Sequence, residues 1–159
     1  RLATFETGDA LSRRFADSSF DLVYSYHALE HIKNPQMALR EMRRVLRDGG
    51  RYWIGVPNRN RFLGYVGSKD ATLREKVEWN IADWRARLKG TFRNELGAHA
   101  GFSSNELRSL LSDVFSTCEE TSDTYYKKIY SGKTGLITLL ERSHLSLVAY
   151  PGVYFMGTK

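Results

Sequence analysis

The residues of this sequence best suited to proton or metal chemistry are its histidines, and three of its four, His27, His31 and His99, sit where predicted elements end. An imidazole titrates near neutrality, so each is a candidate general base, and each serves equally well as a structural donor. His27-Ala28-Leu29-Glu30-His31 also matches H-x-x-E-H, a spacing in which two imidazoles one helical turn apart share zinc while the glutamate acts as base. That chemistry needs the five residues inside one helix. Here an apolar run ends at Tyr26 and a fresh helix start stands at Asn34-Pro35, so the motif straddles a strand end and a turn. No downstream carboxylate has the context of a third ligand, and the expectation is no metal. Cys118 stands alone, which excludes an intrachain disulfide and a cysteine zinc site and fits a reducing compartment. Tyr125, Tyr126 and Tyr130 flank Lys127 and Lys128, a combination able to stack nucleic-acid bases, but a tyrosine-rich substrate wall or core edge explains it as well.

The elements that must hold these side chains are legible from pattern. Phe20–Tyr26 (F-D-L-V-Y-S-Y) is apolar, aromatic and barely alternating, as a strand buried on both faces would be. Asn34 caps a helix that has Pro35 at its first position and Ala38, Leu39, Met42, Val45 and Leu46 on one face, and Asp48-Gly49-Gly50 is expected to end it. Tyr52–Val56 is a second strand closed by Pro57, which completes a right-handed parallel strand-helix-strand unit. The stretch from Ala71 to Lys89 has neither proline nor glycine and carries a stripe of Leu73, Val77, Ile81, Trp84 and Leu88, an inserted helix with Trp84 on the stripe and Trp79 just off it. Ser103-Ser104-Asn105-Glu106 is a capping box ahead of Leu107, Leu110, Leu111, Val114 and Phe115. Beyond it, Thr117–Ser122 reads as a strand, Leu136–Glu141 as helix or strand, and Val153–Thr158 as a last strand after Pro151-Gly152.

With 159 residues, 42% hydrophobic and 26% charged, the composition is that of one domain with a real core. No apolar run approaches the roughly 20 residues of a membrane span, and a cytoplasmic protein is expected. The net charge of +6 gathers at Arg40–Arg51, Arg59–Arg61 and Arg85–Arg93. Nucleic acid is a conceivable partner for such a surface, yet the first cluster falls on the solvent side of an amphipathic helix, where charge keeps a surface wet.

Read together, G-D-A at Gly8–Ala10, D-S-S-F-D-L-V at Asp17–Val23, A-L-E-H-I at Ala28–Ile32 and E-M-R-R-V-L-R-D-G-G at Glu41–Gly50 resemble the class I S-adenosylmethionine-dependent methyltransferases, in their small-molecule branch. The resemblance covers Thr7–Asn58, and His99–Leu107 is more loosely similar to the family's next helix start. Arg13 and Arg14 replace the usual leucine and proline, and Asp48 replaces the proline of the paired-glycine turn. The family's glycine-rich G-x-G loop and its ribose-holding acid lie upstream of Gly8 in the pattern, and neither occurs in these residues.

The resemblance implies that Asp9 accepts from the adenine amino group of S-adenosylmethionine, that the Ala10 backbone faces the neighbouring ring nitrogen, and that Ser25, Tyr26 and His27 flank the methionine and sulfonium end. An acceptor carboxylate at the carboxyl end of a strand is chemically apt for an exocyclic amine, although a turn aspartate looks the same. The implied fold is an α/β, Rossmann-like, doubly wound and mostly parallel sheet with an antiparallel last strand, in family strand order 3-2-1-4-5-7-6. Leu2–Thr7 would be the third strand and Phe20–Tyr26 the fourth, with the N-terminal strands missing between them. Residues 1–159 would then be a partial methyltransferase domain, inactive alone, with residues 59–100 an inserted helical cover. The implied reaction is methyl transfer to a small-molecule acceptor. A catalytically silent methyltransferase-like binding module is the alternative.

Overall fold

A computed structural model describes residues 7–11 and 15–159, and most of the predicted Leu2–Thr7 strand lies outside them. The chain forms β1 (Phe20–Tyr26), α1 (Pro35–Val45), β2 (Leu46–Pro57), α2 (Leu73–Leu88), α3 (Ser104–Ser112), β3 (Glu119–Glu120), α4 (Ser122–Ile129), α5 (Thr134–Arg142), α6 (Ser146–Ala149) and β4 (Gly152–Thr158). The described strands make one open sheet in the order β1-β2-β4-β3. β1 runs parallel to β2, whereas β4 is antiparallel to both β2 and β3. This is the α/β sheet expected, antiparallel last strand included. The outer edge of β1 has no strand partner among the described residues, and Leu22, Tyr24 and Tyr26 there are half-exposed or more.

Alternation along the strands separates two faces. Tyr52, Ile54, Val56, Val153 and Phe155 point to one side and pack with Ala38 and Leu39 of α1 and Leu107 and Leu111 of α3 in the main core. Trp53 and Tyr154 point to the other side, into a second cluster with Tyr126, Ile137 and Tyr150. Gly55 lies beneath Tyr154, where an added Cβ would come within 2.6 Å of the ring, so the missing side chain lets that ring lie flat on the sheet.

α1 begins as its sequence requires, with the Asn34 side chain accepting from the Met37 amide at 3.1 Å and Pro35 at the first position. Its end differs from the expectation. The helix stops at Val45, and the fully buried Leu46 is already extended and starts β2. Residues 47–50 bulge out between the Phe20–Leu46 and Leu22–Arg51 pairs, with Gly49 at φ +73° supplying the turn. Burial of Leu46 therefore outweighs the paired glycines as a helix stop. Downstream, the ambiguous Leu136–Glu141 lies within helix α5, the tyrosine-lysine segment is α4, and the Thr117–Ser122 strand shrinks to β3.

The segment between β2 and α3 leaves the sheet and returns to its own starting point. Asn58 and Phe102 form a parallel bridge, with the Phe102 amide donating to Pro57 O at 3.0 Å and the Arg59 amide to Phe102 O at 3.1 Å. Helix α2 lies within this excursion and buries none of its residues. Its predicted apolar stripe faces outward, from Trp84 at 38% exposed to Leu88 at 86%. Neither indole enters the core: Trp84 donates to Phe62 O and Trp79 packs edge-on against Tyr65. Polar side chains on another face do the anchoring. Asn80 bonds both the amide and the carbonyl of Gly64, Asp83 pairs with Arg61, and Arg87 donates to the carbonyls of Arg59 and Arg61. No helix among the described residues is long and apolar enough to cross a membrane.

Candidate functional site

β1 and β2 are parallel, so the residues that follow them emerge at one edge of the sheet, and β4 starts there too, with Gly152 opposite Pro57. In open α/β sheets ligands bind at this edge. A cavity of about 450 Å³ occupies it, bounded by Tyr26 at the end of β1 and His27 just after it, by Arg61, Tyr65 and His99 of the excursion, and by the tyrosines of α4 and β4.

Each wall has a local cause. His27 takes the left-handed conformation at φ +48° while its amide still donates to Gly55 O at 2.8 Å, which turns the chain sharply off the sheet. After β2, the fully buried Asn58 donates to the carbonyls of Leu147 and Tyr150 and accepts from the Asn60 amide, fixing the turn that carries Arg61. Arg61 is 4% exposed and reaches Asp83 at 2.7 Å, His99 O at 3.0 Å and Ala100 O at 3.2 Å. It thus ties α2 to the loop that presents His99.

The aromatic wall is a packed series of rings. Tyr125 stacks on Tyr154 at 3.8 Å, Tyr154 on Trp53 at 5.4 Å and Tyr126 on Tyr150 at 4.2 Å. The Tyr126 hydroxyl accepts from the Gly152 amide at 2.9 Å and donates to Gly152 O at 3.3 Å, and the ring is nearly buried. Burial raises the phenols of Tyr26, Tyr126 and Tyr154 above the usual tyrosine range, so all three stay protonated near neutrality. A buried Tyr126 cannot stack on a nucleobase. His27 is exposed on one side, yet desolvation by the protein around the rest of it lowers its pKa, with Arg61, His99 and His31 adding repulsion in that order. Its neutral form is favoured.

Of the residues singled out from sequence, Tyr26, His27 and His99 line the cavity. His31 and His99 meet edge-on with ring centroids 4.7 Å apart, beside Glu30. Ser25 is buried in β1 and, like Asp9 and Ala10, is not part of the cavity wall. Asp9 is exposed and accepts from the Leu11 amide at 2.9 Å, the local turn bond of an aspartate at a bend. Arg61, Tyr65 and Tyr154 escaped the sequence reading. The only signal was Arg61, standing four residues past the strand-closing Pro57 in a run that otherwise looks like surface charge.

Residues 1–54 match the family profile described as a methyltransferase domain. Over 46 residues the chain is 44% identical to ajmaline N-methyltransferase of Rauvolfia serpentina, covering 29% of this chain and 16% of that protein. It is likewise 44% identical over 48 residues to the ubiquinone/menaquinone biosynthesis C-methyltransferase of Roseobacter denitrificans, covering 30% of this chain and 19% of that protein. Among solved structures, a SAM-dependent methyltransferase of Thermotoga maritima superposes with a TM-score of 0.54 at 20% identity, covering 96% of this chain and 62% of that one. Haemonchus contortus phosphoethanolamine N-methyltransferase 2, in complex with S-adenosylmethionine, gives 0.52 at 16% identity, covering 95% of this chain and 36% of that one. The chain therefore spans less than two thirds of each of these relatives, and under a fifth of the two methyltransferases matched by sequence.

Proposed function

We propose that the protein containing this chain is a class I S-adenosylmethionine-dependent methyltransferase that acts on a small-molecule acceptor, a reading supported by the methyltransferase-domain match of residues 1–54 and by the fold. The observation that carries this reading is the 450 Å³ cavity at the carboxyl ends of β1 and β2, walled by tyrosines and roofed by the excursion of residues 59–100. Its size and its apolar, hydrogen-bonding rings suit a compact organic molecule. The ajmaline and phosphoethanolamine methyltransferases among the relatives are named for acceptors of that kind.

Asp9, Ala10, Tyr26 and His27 are the residues that would meet the cofactor. Asp9 and Ala10 are exposed at a bend, open to an adenine amino group and the ring nitrogen beside it, while Tyr26 and His27 face the cavity where the methionine end would lie. S-adenosylmethionine supplies an electrophilic methyl group on a positively charged sulfur, and tyrosine faces are favourable neighbours for such a cation. The chain's own contribution is alignment and exclusion of water. The stacked wall orients a flat or apolar acceptor, and the insert 59–100 acts as its cover. His27, held toward its neutral form, is placed to accept a proton from an acceptor hydroxyl or amine, and His99 is a second base at the same cavity.

Calorimetry of the intact protein tests the cofactor assignment. Asp9→Ala should weaken S-adenosylmethionine binding by about 1 to 3 kcal/mol, the cost of an unsatisfied adenine amine. Unchanged affinity with the fold intact would remove Asp9 from the site.

A further inference from the structure

Glu30 is the most anomalous polar side chain in the described chain. Its carboxylate is 1% exposed, and neither oxygen has a hydrogen-bond partner among the described residues. A buried carboxylate without a partner is costly, and burial raises its pKa. It sits in a single 3-10 turn, Leu29–His31, directly after the His27 bend, with the fully buried Leu29 fixing the turn against the core.

Two imidazoles converge on it. His31 Nε2 lies 3.7 Å from Glu30 Oε1, too far for a hydrogen bond, and the His99 ring stands nearly perpendicular to that of His31. One ligand atom from each of Glu30, His31 and His99 falls within 4.8 Å of the others. A tetrahedral zinc ion holds its nitrogen and oxygen ligands about 2.1 Å away, hence about 3.4 Å from one another. The two exposed imidazoles reach that spacing by small rotations, with the buried carboxylate as the fixed point. His99 is presented firmly: Arg61 donates to the carbonyls of His99 and Ala100, and Asn94 bonds both the amide and the carbonyl of Gly101. Gly101 is at φ +73° with its missing Cβ against Pro57 O, so the backbone after His99 has no room for a side chain.

We propose that Glu30, His31 and His99 form a binding site for a divalent transition-metal ion such as zinc. Two imidazoles and one carboxylate are a borderline donor set suited to zinc and its first-row neighbours and poorly suited to calcium or magnesium. The set differs from the H-x-x-E-H pattern, because His27 takes no part and the second imidazole comes from the far end of the excursion. The positive charge of Arg61 nearby is countered by its 2.7 Å pair with Asp83. Of the three, His99 alone also lines the cavity, so the ion would stand at the cavity's edge. A metal here also closes the cover onto the sheet, joining the turn after β1 to the end of residues 59–100.

The site stands independently of the methyl-transfer reading, and so does its test. The intact protein is stripped with a chelator, dialysed, and titrated with zinc sulfate by calorimetry and with cobalt sulfate by visible absorption. One equivalent should bind, with ligand-field bands from cobalt and a raised melting temperature. Glu30→Gln, which keeps the volume and removes the charge, should weaken binding at least about tenfold, as should His31→Ala and His99→Ala. His27→Asn and His144→Asn should bind as the parent does. Absence of stoichiometric binding overturns the site, as does binding that survives both Glu30→Gln and His99→Ala. Loss in His27→Asn with retention in His99→Ala would assign the metal to the H-x-x-E-H pair instead. Melting curves of each metal-free variant identify any that fails to fold, and Glu30→Gln, which relieves a buried charge, is expected to be at least as stable as the parent.

Discussion

Thr72 and Ser103 each accept a bond from the backbone amide three residues on, while Glu75 and Glu106 each accept one from the cap amide, so α2 and α3 start with the same capping box. Both also carry an apolar stripe at helical spacing. α3 turns Leu107 and Leu111 into the core at 0% exposure, whereas α2 turns its stripe to solvent and anchors through Asn80, Asp83 and Arg87. A stripe thus defines a face without deciding which way that face turns. The decision rests on what lies beneath: α3 returns to the sheet, while α2 lies over a turn whose carbonyls at Arg59, Arg61, Phe62 and Gly64 accept from its side chains, beside the guanidinium of Arg61. A helix held by directional polar bonds keeps its geometry while remaining less stable than one held by apolar burial.

The largest expected effect on this contrast comes from Asp83→Ala. It leaves the buried Arg61 unpaired and should cost about 3 to 5 kcal/mol, seen as faster amide exchange across residues 59–100 by mass spectrometry. Protection that stayed at the parent level would mean that α2 is held by something other than the polar seam. Leu111→Ala should cost about 2 to 5 kcal/mol and lower the urea midpoint of the whole protein, because it opens a cavity in the sheet's main core. A change confined to α3 would deny that α3 belongs to that cooperative unit. The cap variants come next: Ser103→Ala and Thr72→Ala each remove about 1 kcal/mol, but only the first should shift global unfolding, while the second frays α2 alone. Equal global shifts would erase the distinction between the helices. The smallest effect is expected from Val77→Ser with Ile81→Ser, within about 0.5 kcal/mol of the parent if the stripe faces water in the intact protein. A loss of several kcal/mol in circular-dichroism melts would show that the stripe is covered there.

β1, α1, β2, the capping box of α3 and β4 were readable because their signals are local: an apolar run, Asn34 before Pro35, serine and glutamate at fixed spacing, and a proline-glycine turn. The end of α1 was not, since the pull of the core on Leu46 is a tertiary fact and overrode the Asp48-Gly49-Gly50 signal. Of the candidate site, Tyr26, His27 and His99 were legible as residues at element ends. Arg61 was not, because a buried guanidinium and a surface one look alike in sequence, and its partner Asp83 lies in another element. Glu30 entered the sequence reading as part of H-x-x-E-H and of the A-L-E-H-I stretch, in neither case as a buried carboxylate. Its burial and its meeting with His99 depend on a loop that returns beside Asn58, which no local spacing encodes.

The position of β4 has a consequence for how such a chain is made. β4 is inserted between β2 and β3, and its pairings with β2 run from Pro57 with Gly152 to Arg51 with Thr158. Until residues 152–158 have left the ribosome, β2 carries an open hydrogen-bonding edge beside Trp53, Ile54 and Val56, and the tyrosine wall lacks Tyr154 as its base. Contacts of such long sequence separation form slowly, and an open apolar edge invites pairing with other chains. The cavity is therefore among the last features to be completed. A ribosome-stalled chain ending before Tyr150 should be bound by chaperones far more readily than one extended past Thr158.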